Sequence, residues 1–194
     1  MLYLDHVRVE GTAGPVALLD RTTRLFADST ELFDNAEGIR SDGAFTYLRN
    51  TVVAGTVGPV YTALDESNLD IEASTIIDNA AALWLDCSGE GADSIVGIRD
   101  SIVGLLEGPA FSTLISDECL LTEARNVLGD AGVEGDYRDG YRLELMPRDL
   151  FMIDGPQTCE SDVSALPGDE LCAPRLDIDG KSRRGQHWAG ASVP

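Results

Sequence analysis

One short pattern recurs along residues 1–135 of this chain, at intervals of 21 to 27 residues. In each copy apolar residues alternate with polar ones, which is the period of a β-strand. One inward position of each of the six copies is given by Leu4, Ala27, Leu48, Ile71, Ile98 and Ala124. A sequence period of twenty-odd residues is typical of a solenoid, in which every repeat stacks on its neighbours.

A bend residue follows the alternating segment of each copy: His6, Ser29, Asn50, Ala73, Asp100 and Asn126. Asn and Asp tolerate the left-handed backbone conformation that a tight bend requires. Three residues further on, a second inward row consists of Val9, Leu32, Val53, Ile76 and Val103. The pattern therefore predicts two short strands joined by a bend in every copy.

A third strand is predicted in the remaining part of each copy, at residues 16–20, 38–42, 60–65, 83–86 and 111–115. Three of these segments are entered through a Gly-Pro step, which is a turn signal. With three strands per coil, the sequence predicts an all-β fold, a right-handed parallel β-helix of about six coils. The alternative is a leucine-rich repeat, but its regular Leu/Asn consensus and helical back are missing.

From residue 136 the rhythm changes, and we divide the chain into coils at 1–135 and a C-terminal capping segment at 136–194. The capping segment begins with a crowded apolar set: Tyr137, Tyr141, Leu143, Leu145, Met146, Leu150, Phe151, Met152 and Ile153. We expect this segment to cover the end of the apolar core. Because Met1 leads directly into a strand, with neither a cap nor a secretion signal before it, we also expect the chain to be part of a longer protein or a truncated reading frame.

The formal net charge of −20, with Lys181 as the single lysine, excludes nucleic-acid binding through phosphate contacts. An anionic polymer would need a bridging cation for the same reason. No apolar run is long enough to predict a membrane span.

Four cysteines divide into two predicted disulfides. Cys87 and Cys119 follow the third strand in consecutive coils, and Cys159 and Cys172 bracket a loop in the capping segment. The alternatives are four free thiols or a zinc site, although no Cys-x-x-Cys spacing supports zinc. Disulfides favour an oxidising compartment.

The end of the chain carries a motif, Asp177-Ile178-Asp179-Gly180-Lys181-Ser182-Arg183, followed by Gly190-Ala191. With the coil pattern, this Asp-x-Asp-Gly-x-x-Arg…Gly-Ala tail resembles that of bacterial right-handed parallel β-helix proteins of the pectate-lyase-like superfamily. Arg184 replaces the proline of the tail motif, and the closing aromatic-Glu pair is absent. The resemblance implies an extracellular or cell-surface location and contact with polysaccharide.

Candidate chemistry lies at the end of the third strand, where Asp42, Asp65 and Asp86 recur, with Asp20 before them and Asp117 near the equivalent place after them. Carboxylates stacked about 4.8 Å apart in a parallel β-helix repel one another unless a cation or an arginine intervenes. A Ca²⁺ site at Asp42, Asp65 and Asp86 is one interpretation. The other interpretation is a set of solvated turn residues.

A lyase would also need a base, for which Arg40 is the candidate on this strand face, and Tyr61 and Trp84 could form an aromatic strip for sugar rings. Arg49, Arg99 and Arg125 are expected to be solvated. His6 and His187 are assigned no role.

Two functions follow from these features. The favoured one is a secreted or surface β-helix module, non-enzymatic, with an adhesive, carbohydrate-contacting or structural role. The alternative is a polysaccharide lyase or glycoside hydrolase fragment that acts on an acidic polysaccharide. A groove that holds Arg40 near two of the carboxylates would favour the enzyme, and a flat, evenly charged face would favour the module.

Overall fold

The structure is a computed structural model, and it describes residues 1–77, 79–80, 83–87, 94–104, 113–115, 119–124, 127–128, 133–134, 144–145, 178 and 180. In chain order the strands are β1 (Leu2–Asp5), β2 (Arg8–Glu10), β3 (Pro15–Leu19), β4 (Arg24–Asp28), β5 (Glu31–Phe33), β6 (Glu37–Ser41), β7 (Phe45–Arg49), β8 (Val52–Ala54), β9 (Tyr61–Ala63), β10 (Asn68–Glu72), β11 (Thr75–Ile77), β12 (Leu83–Asp86), β13 (Ser94–Arg99), β14 (Ile102–Gly104), β15 (Thr113–Ile115), β16 (Cys119–Ala124), β17 (Val127–Leu128), β18 (Val133–Glu134) and β19 (Glu144–Leu145).

The first seventeen strands form three parallel sheets that the chain visits in turn. Sheet A has the order β1-β4-β7-β10-β13-β16, sheet B the order β2-β5-β8-β11-β14-β17, and sheet C the order β3-β6-β9-β12-β15. Strands β18 and β19 form a separate antiparallel pair. The described residues thus form an all-β solenoid of about four turns, with no helix among them. Right-handedness and six coils stay predictions.

The core lies between the three sheets and is made of stacked, inward-facing side chains. Leu4 pairs with Ala27, Ala27 with Leu48, Leu48 with Ile71 and Ile71 with Ile98, as the sequence pattern predicts. The second inward row, in sheet B, is confirmed by the pairing of Val9, Leu32, Val53, Ile76 and Val103 in successive strands. Such columns give each apolar residue an apolar neighbour above and below.

The sixth inward position was predicted one residue too late. Ile98 pairs with Glu123, whereas Ala124 pairs with Arg99. The register is set by Leu121, which pairs with Val96 and packs against the core. A shift by one residue would turn Leu121 outward, because side chains alternate between the two faces of a strand.

The bends are also as predicted in the first five copies. His6, Ser29, Asn50, Ala73 and Asp100 have φ values of 53°, 50°, 50°, 46° and 52°. Asn126 lies outside the described residues. After each bend stands a small hydroxyl or β-branched residue, and the hydroxyls of Ser74 and Ser101 each accept a hydrogen bond from the preceding coil. The Thr51 N–H donates to Ser74 Oγ at 3.1 Å, and the Ser74 N–H donates to Ser101 Oγ at 3.1 Å.

The Cys87–Cys119 disulfide is confirmed, with a Cα–Cα distance of 5.3 Å. The predicted Cys159–Cys172 disulfide lies outside the described residues, as does nearly all of the predicted capping segment 136–194, so both stay predictions. Among the described residues no helix is long and apolar enough to cross a membrane.

Candidate functional site on the outer face of sheet A

The outward side chains of sheet A form three columns that run across its six strands, and we call this surface the sheet A face. The first column is largely apolar, the second changes from aromatic to polar, and the third is charged. In strand order the columns are Arg24, Phe45, Asn68, Ile95 and Leu120; Tyr3, Phe26, Tyr47, Asp70, Gly97 and Thr122; and Asp5, Asp28, Arg49, Glu72 and Arg99.

Aromatic rings cover the half of the sheet A face that is nearer to β1. Tyr3 stacks on Phe26 with ring centroids 5.3 Å apart and planes at 21°. Phe26 also contacts Phe45 at 6.1 Å and the edge of Tyr47 at 6.2 Å. Pairs in this distance range stabilise one another beyond the burial of their area. The Tyr3 side is the most open part, since Tyr3 is 65% exposed.

An ion-pair ladder borders these rings. The Arg49 guanidinium binds Asp28, with Nε at 2.9 Å from Oδ2 and Nη2 on the same oxygen. The other Asp28 oxygen accepts from the Ser29 hydroxyl at 3.2 Å and from the Asn50 amide at 3.4 Å. Both Asp28 oxygens are therefore held by hydrogen bonds, and Arg49 lies paired beside them.

Glu72 is the most buried charged group of the sheet A face, with 4% of its surface exposed. It accepts a hydrogen bond from the Tyr47 hydroxyl, and its Oε1 lies 3.5 Å from Arg99 Nε. Burial raises the pKa of the Tyr47 phenol, and the Glu72 charge raises it further. Tyr47 therefore stays protonated and orients the Glu72 carboxylate.

Asp70, two residues before Glu72 on the same face of β10, has a different environment. A Cβ at Gly97, the neighbour of Asp70 in β13, would lie 2.6 Å from Asp70 Oδ1. The missing side chain at Gly97 thus leaves the space that the Asp70 carboxyl occupies. Burial raises the pKa of Asp70, while the Arg99 guanidinium lowers it. One strand therefore presents two carboxyl groups in different surroundings: Asp70, whose pKa is raised by burial, and Glu72, which is bound by Tyr47 and Arg99.

The sequence placed its candidate site elsewhere, on sheet C and the turn that follows it. There Arg21 lies between two of the predicted carboxylates: its Nε is 3.7 Å from Asp42 Oδ1, and its Nη2 pairs with Asp65 Oδ2. Arg21 thus supplies the positive charge that a Ca²⁺ ion would provide in one of the two interpretations of these aspartates. Among the described residues no group of three or more side chains is arranged to hold a metal ion. Ca²⁺ binding by Asp42, Asp65 and Asp86 stays a prediction.

The aspartates do not form one column. Asp86 pairs with Thr62, and Thr62 pairs with Arg40, so Asp86 lies three positions before the level of Asp65. The turns that follow the strands of sheet C differ in length. The pairing of the strands therefore does not align the aspartates that come at or after the strand ends. Asp20 is a turn residue, since it accepts hydrogen bonds from the Thr22 and Thr23 hydroxyls at 2.7 Å.

Arg40 lies on the outer side of sheet C and pairs with Glu37 at 3.0 Å. The predicted aromatic strip of Tyr61 and Trp84 is wrong, because Tyr61 points inward and is 1% exposed. Trp84 is half-buried on sheet C without Tyr61 beside it.

The expectation that Arg49 and Arg99 are solvated is also wrong, since both are half-buried in ion pairs. Arg125 lies outside the described residues. A signal for the ladder was present in the sequence: the residue before the bend carries opposite charges in consecutive copies, from Asp28 through Arg49 and Glu72 to Arg99. Opposite charges in neighbouring parallel strands stabilise the pairing.

Comparison with known proteins found no relative: no family model matches the chain, and searches of curated proteins and of solved structures gave no significant match. A β-solenoid by itself does not specify a function, so the function has to be argued from the sheet A face.

Proposed function

We propose that this protein is a right-handed, pectate-lyase-like β-helix module of about six coils that contacts polysaccharide through the sheet A face, without catalysis, outside the cell or at its surface. The observation that carries the proposal is the column of outward aromatic rings that lies directly beside an ion-paired ladder of carboxylates and guanidinium groups. The Cys87–Cys119 disulfide supports the oxidising compartment.

The chemistry of the sheet A face suits a sugar chain. Sugar rings combine apolar C–H patches with hydroxyl groups, and a binding site for such a molecule needs apolar contact area with a few fixed polar groups. Phe26, Phe45 and the exposed Tyr3 supply contact area. Asp28 and Arg49, already oriented by each other, supply fixed acceptors and donors, so little side-chain freedom is lost when a hydroxyl binds.

The charges of the ladder also bear on the type of glycan. Asp28 is paired with Arg49, and Glu72 with Arg99, so the ladder is close to neutral within a chain of net charge −20. A neutral polysaccharide therefore meets no unpaired charge there, whereas an anionic one is repelled by the molecule as a whole.

The test is a binding assay against a panel of neutral and acidic polysaccharides, with Phe26→Ala and with Trp84→Ala as a matched control on sheet C. We expect binding to a neutral polysaccharide that Phe26→Ala weakens about tenfold or more, as for the loss of a central aromatic contact. Trp84→Ala should leave binding unchanged. Equal losses in the two variants, or no binding to any member of the panel, would refute the proposal.

A polysaccharide lyase or glycoside hydrolase is the second candidate, and the different environments of Asp70 and Glu72 favour it. Asp70, whose pKa is raised by burial, lies two residues from Glu72 on the same face of β10, and glycoside hydrolysis uses a pair of carboxyl groups of which one keeps its proton. If the same panel shows cleavage, Asp70→Asn and Glu72→Gln should each abolish it. Cleavage that persists in both variants would assign it to other residues.

A further inference from the structure

The core of the solenoid contains a small polar region between sheets A and C. Thr46 of β7 and Tyr61 of β9 both point inward, with 0% and 1% of their surfaces exposed. No neighbouring group meets Thr46 Oγ1 or the Tyr61 hydroxyl at the distance and angle of a direct hydrogen bond. A buried hydroxyl without a partner is costly, and native proteins rarely leave one so.

The polar side chain at Thr46 interrupts an otherwise apolar column. Its partners in the neighbouring strands are Leu25 and Leu69, and Val96 follows Leu69. A threonine at this level places a hydroxyl where the neighbouring coils bury Leu25, Leu69 and Val96, so packing alone does not account for it.

Two further buried hydroxyls border Tyr61, those of Ser41 and Ser67, both on residues with 0% exposure. Burial raises the pKa of the Tyr61 phenol, and hydrogen bonding with the hydroxyls of Ser41, Ser67 and Thr46, which lie around it without direct alignment, lowers it. Ser41 Oγ lies 3.4 Å from the Ala44 carbonyl, and Ser67 Oγ accepts from the Gly43 N–H at 3.0 Å. A hydroxyl can donate once and accept twice, so both serines keep unused capacity.

We propose that these four hydroxyls bind one buried water molecule in the third coil. A water is retained inside a protein when it finds two to four polar partners in a space too polar to stay dry. The four hydroxyls of Thr46, Tyr61, Ser41 and Ser67 provide that number of partners. The water then supplies the aligned hydrogen bonds that Thr46 and Tyr61 lack. The site is separate from the sheet A face, so it stands or falls independently of the proposed function.

The direct test is to locate the water, by a crystal structure at a resolution that shows ordered solvent or by nuclear Overhauser effects between water and the Tyr61 ring. We expect one water within hydrogen-bond distance of Tyr61 and Thr46. A dry cavity, or a direct hydrogen bond between these two hydroxyls that leaves no room for solvent, would overturn the inference.

An independent test uses the conservative variants Tyr61→Phe and Thr46→Val in denaturant unfolding. If both side chains bind one water, each substitution lowers the equilibrium constant for folding by about fivefold, the effect of one lost buried hydrogen bond. In the double variant the folding equilibrium constant should fall by less than the product of the two single effects. The first substitution already weakens the binding of the water, so the second removes a weaker contact.

Thr51→Val is the matched control, since Thr51 is equally buried and its hydroxyl donates to the Arg49 carbonyl at 3.1 Å. In a Thr51→Val/Tyr61→Phe double variant, the folding equilibrium constant should fall by the full product of the two single effects. A gain of stability in Tyr61→Phe or Thr46→Val would show an orphaned hydroxyl rather than a bridged one. Independent effects of these two substitutions would show that they share no water.

Discussion

Two aspartates show how strongly single residues differ within one repetitive fold. Burial beside Gly97 raises the pKa of Asp70, whereas hydrogen bonds from the Thr22 and Thr23 hydroxyls and from the Thr22 N–H lower the pKa of the exposed Asp20. Ionisation therefore destabilises the folded state at Asp70 and stabilises it at Asp20.

Asp70→Asn should raise the free energy of unfolding at neutral pH. The folded state holds the Asp70 proton to a higher pH than the unfolded chain does, so stability falls as the pH rises above the ordinary aspartate pKa of 3.8. The advantage of the variant should therefore disappear at a pH well below 3.8. Urea unfolding at both pH values measures it.

Asp20→Asn is the control of opposite sign. In the native protein the ionised form of Asp20 is favoured in the folded state. Its contribution to the free energy of unfolding is therefore present above pH 3.8 and lost as the pH falls through the lowered pKa. This variant should be less stable than the native protein at neutral pH and equal to it in acid. The same sign of change in both variants at neutral pH would contradict the assignment.

At the scale of the strand and its bend, each coil is held to the next by side chains as well as by the backbone. Ser74 is the clearest case, because its hydroxyl accepts from the Thr51 N–H at 3.1 Å and donates to the Glu72 carbonyl at 2.8 Å. Asn79 links the next turn in the same way, accepting from the Thr56 N–H at 2.8 Å and donating to the Val53 carbonyl at 3.2 Å. These bonds satisfy buried backbone groups at the corners, where the sheets leave them free.

Ser74→Ala should destabilise the protein by about 2 kcal/mol, since it leaves the buried Thr51 N–H without an acceptor. Hydrogen exchange at the Thr51 amide should accelerate more than at the amides of β8, the strand that follows it. Thr30→Val is the control, because the Thr30 hydroxyl donates to the Asp28 and Leu4 carbonyls, and its loss should cost less. Unchanged protection at Thr51 would contradict the role of Ser74.

The strands and bends were predictable because each copy carries its own signals: alternation sets the inward face, and the residue at the bend tolerates a positive φ. This was sufficient for Leu4 through Ile98 and for His6 through Asp100. It failed at Ala124, where the register is decided by the packing of Leu121, three residues earlier in the same strand, against Val96 and the core.

The candidate site was less predictable, because its chemistry arises between coils. Arg49 read alone is a polar residue beside a bend, and only its alignment with Asp28 one strand away makes it part of a ladder. Asp65 and Asp86 failed in the opposite way: their sequence spacing matched the period, but turns of unequal length placed them at different levels.

At the scale of the whole molecule, the disulfide in the described part of the chain supplements the stacking of coils. Cys87 follows β12, Cys119 opens β16, and both are buried, with a separation of 32 residues in sequence. The bond therefore joins two successive turns between sheets C and A, with a Cα–Cα distance of 5.3 Å, about one coil spacing. A solenoid has contacts only between neighbouring coils, so a link of this kind restricts the unfolded chain over a long loop.

A Cys87→Ala/Cys119→Ala double variant should lose about 3 to 4 kcal/mol of stability, by the chain-entropy relation for a loop of that size. Urea unfolding under non-reducing conditions measures the loss. A peptide map under the same conditions should recover Cys87 linked to Cys119. Linkage of either residue to Cys159 or Cys172 would contradict the structure and the predicted pairing alike.

The same bond sets how the molecule responds to mechanical tension. A solenoid pulled from its two ends peels apart coil by coil, and each freed residue adds to the length of the extended chain. The 32-residue interval between Cys87 and Cys119 cannot be drawn out while the disulfide is intact, which withholds about 110 Å of extension. The redox state of the surroundings therefore decides how far the protein can be stretched before its backbone is taut.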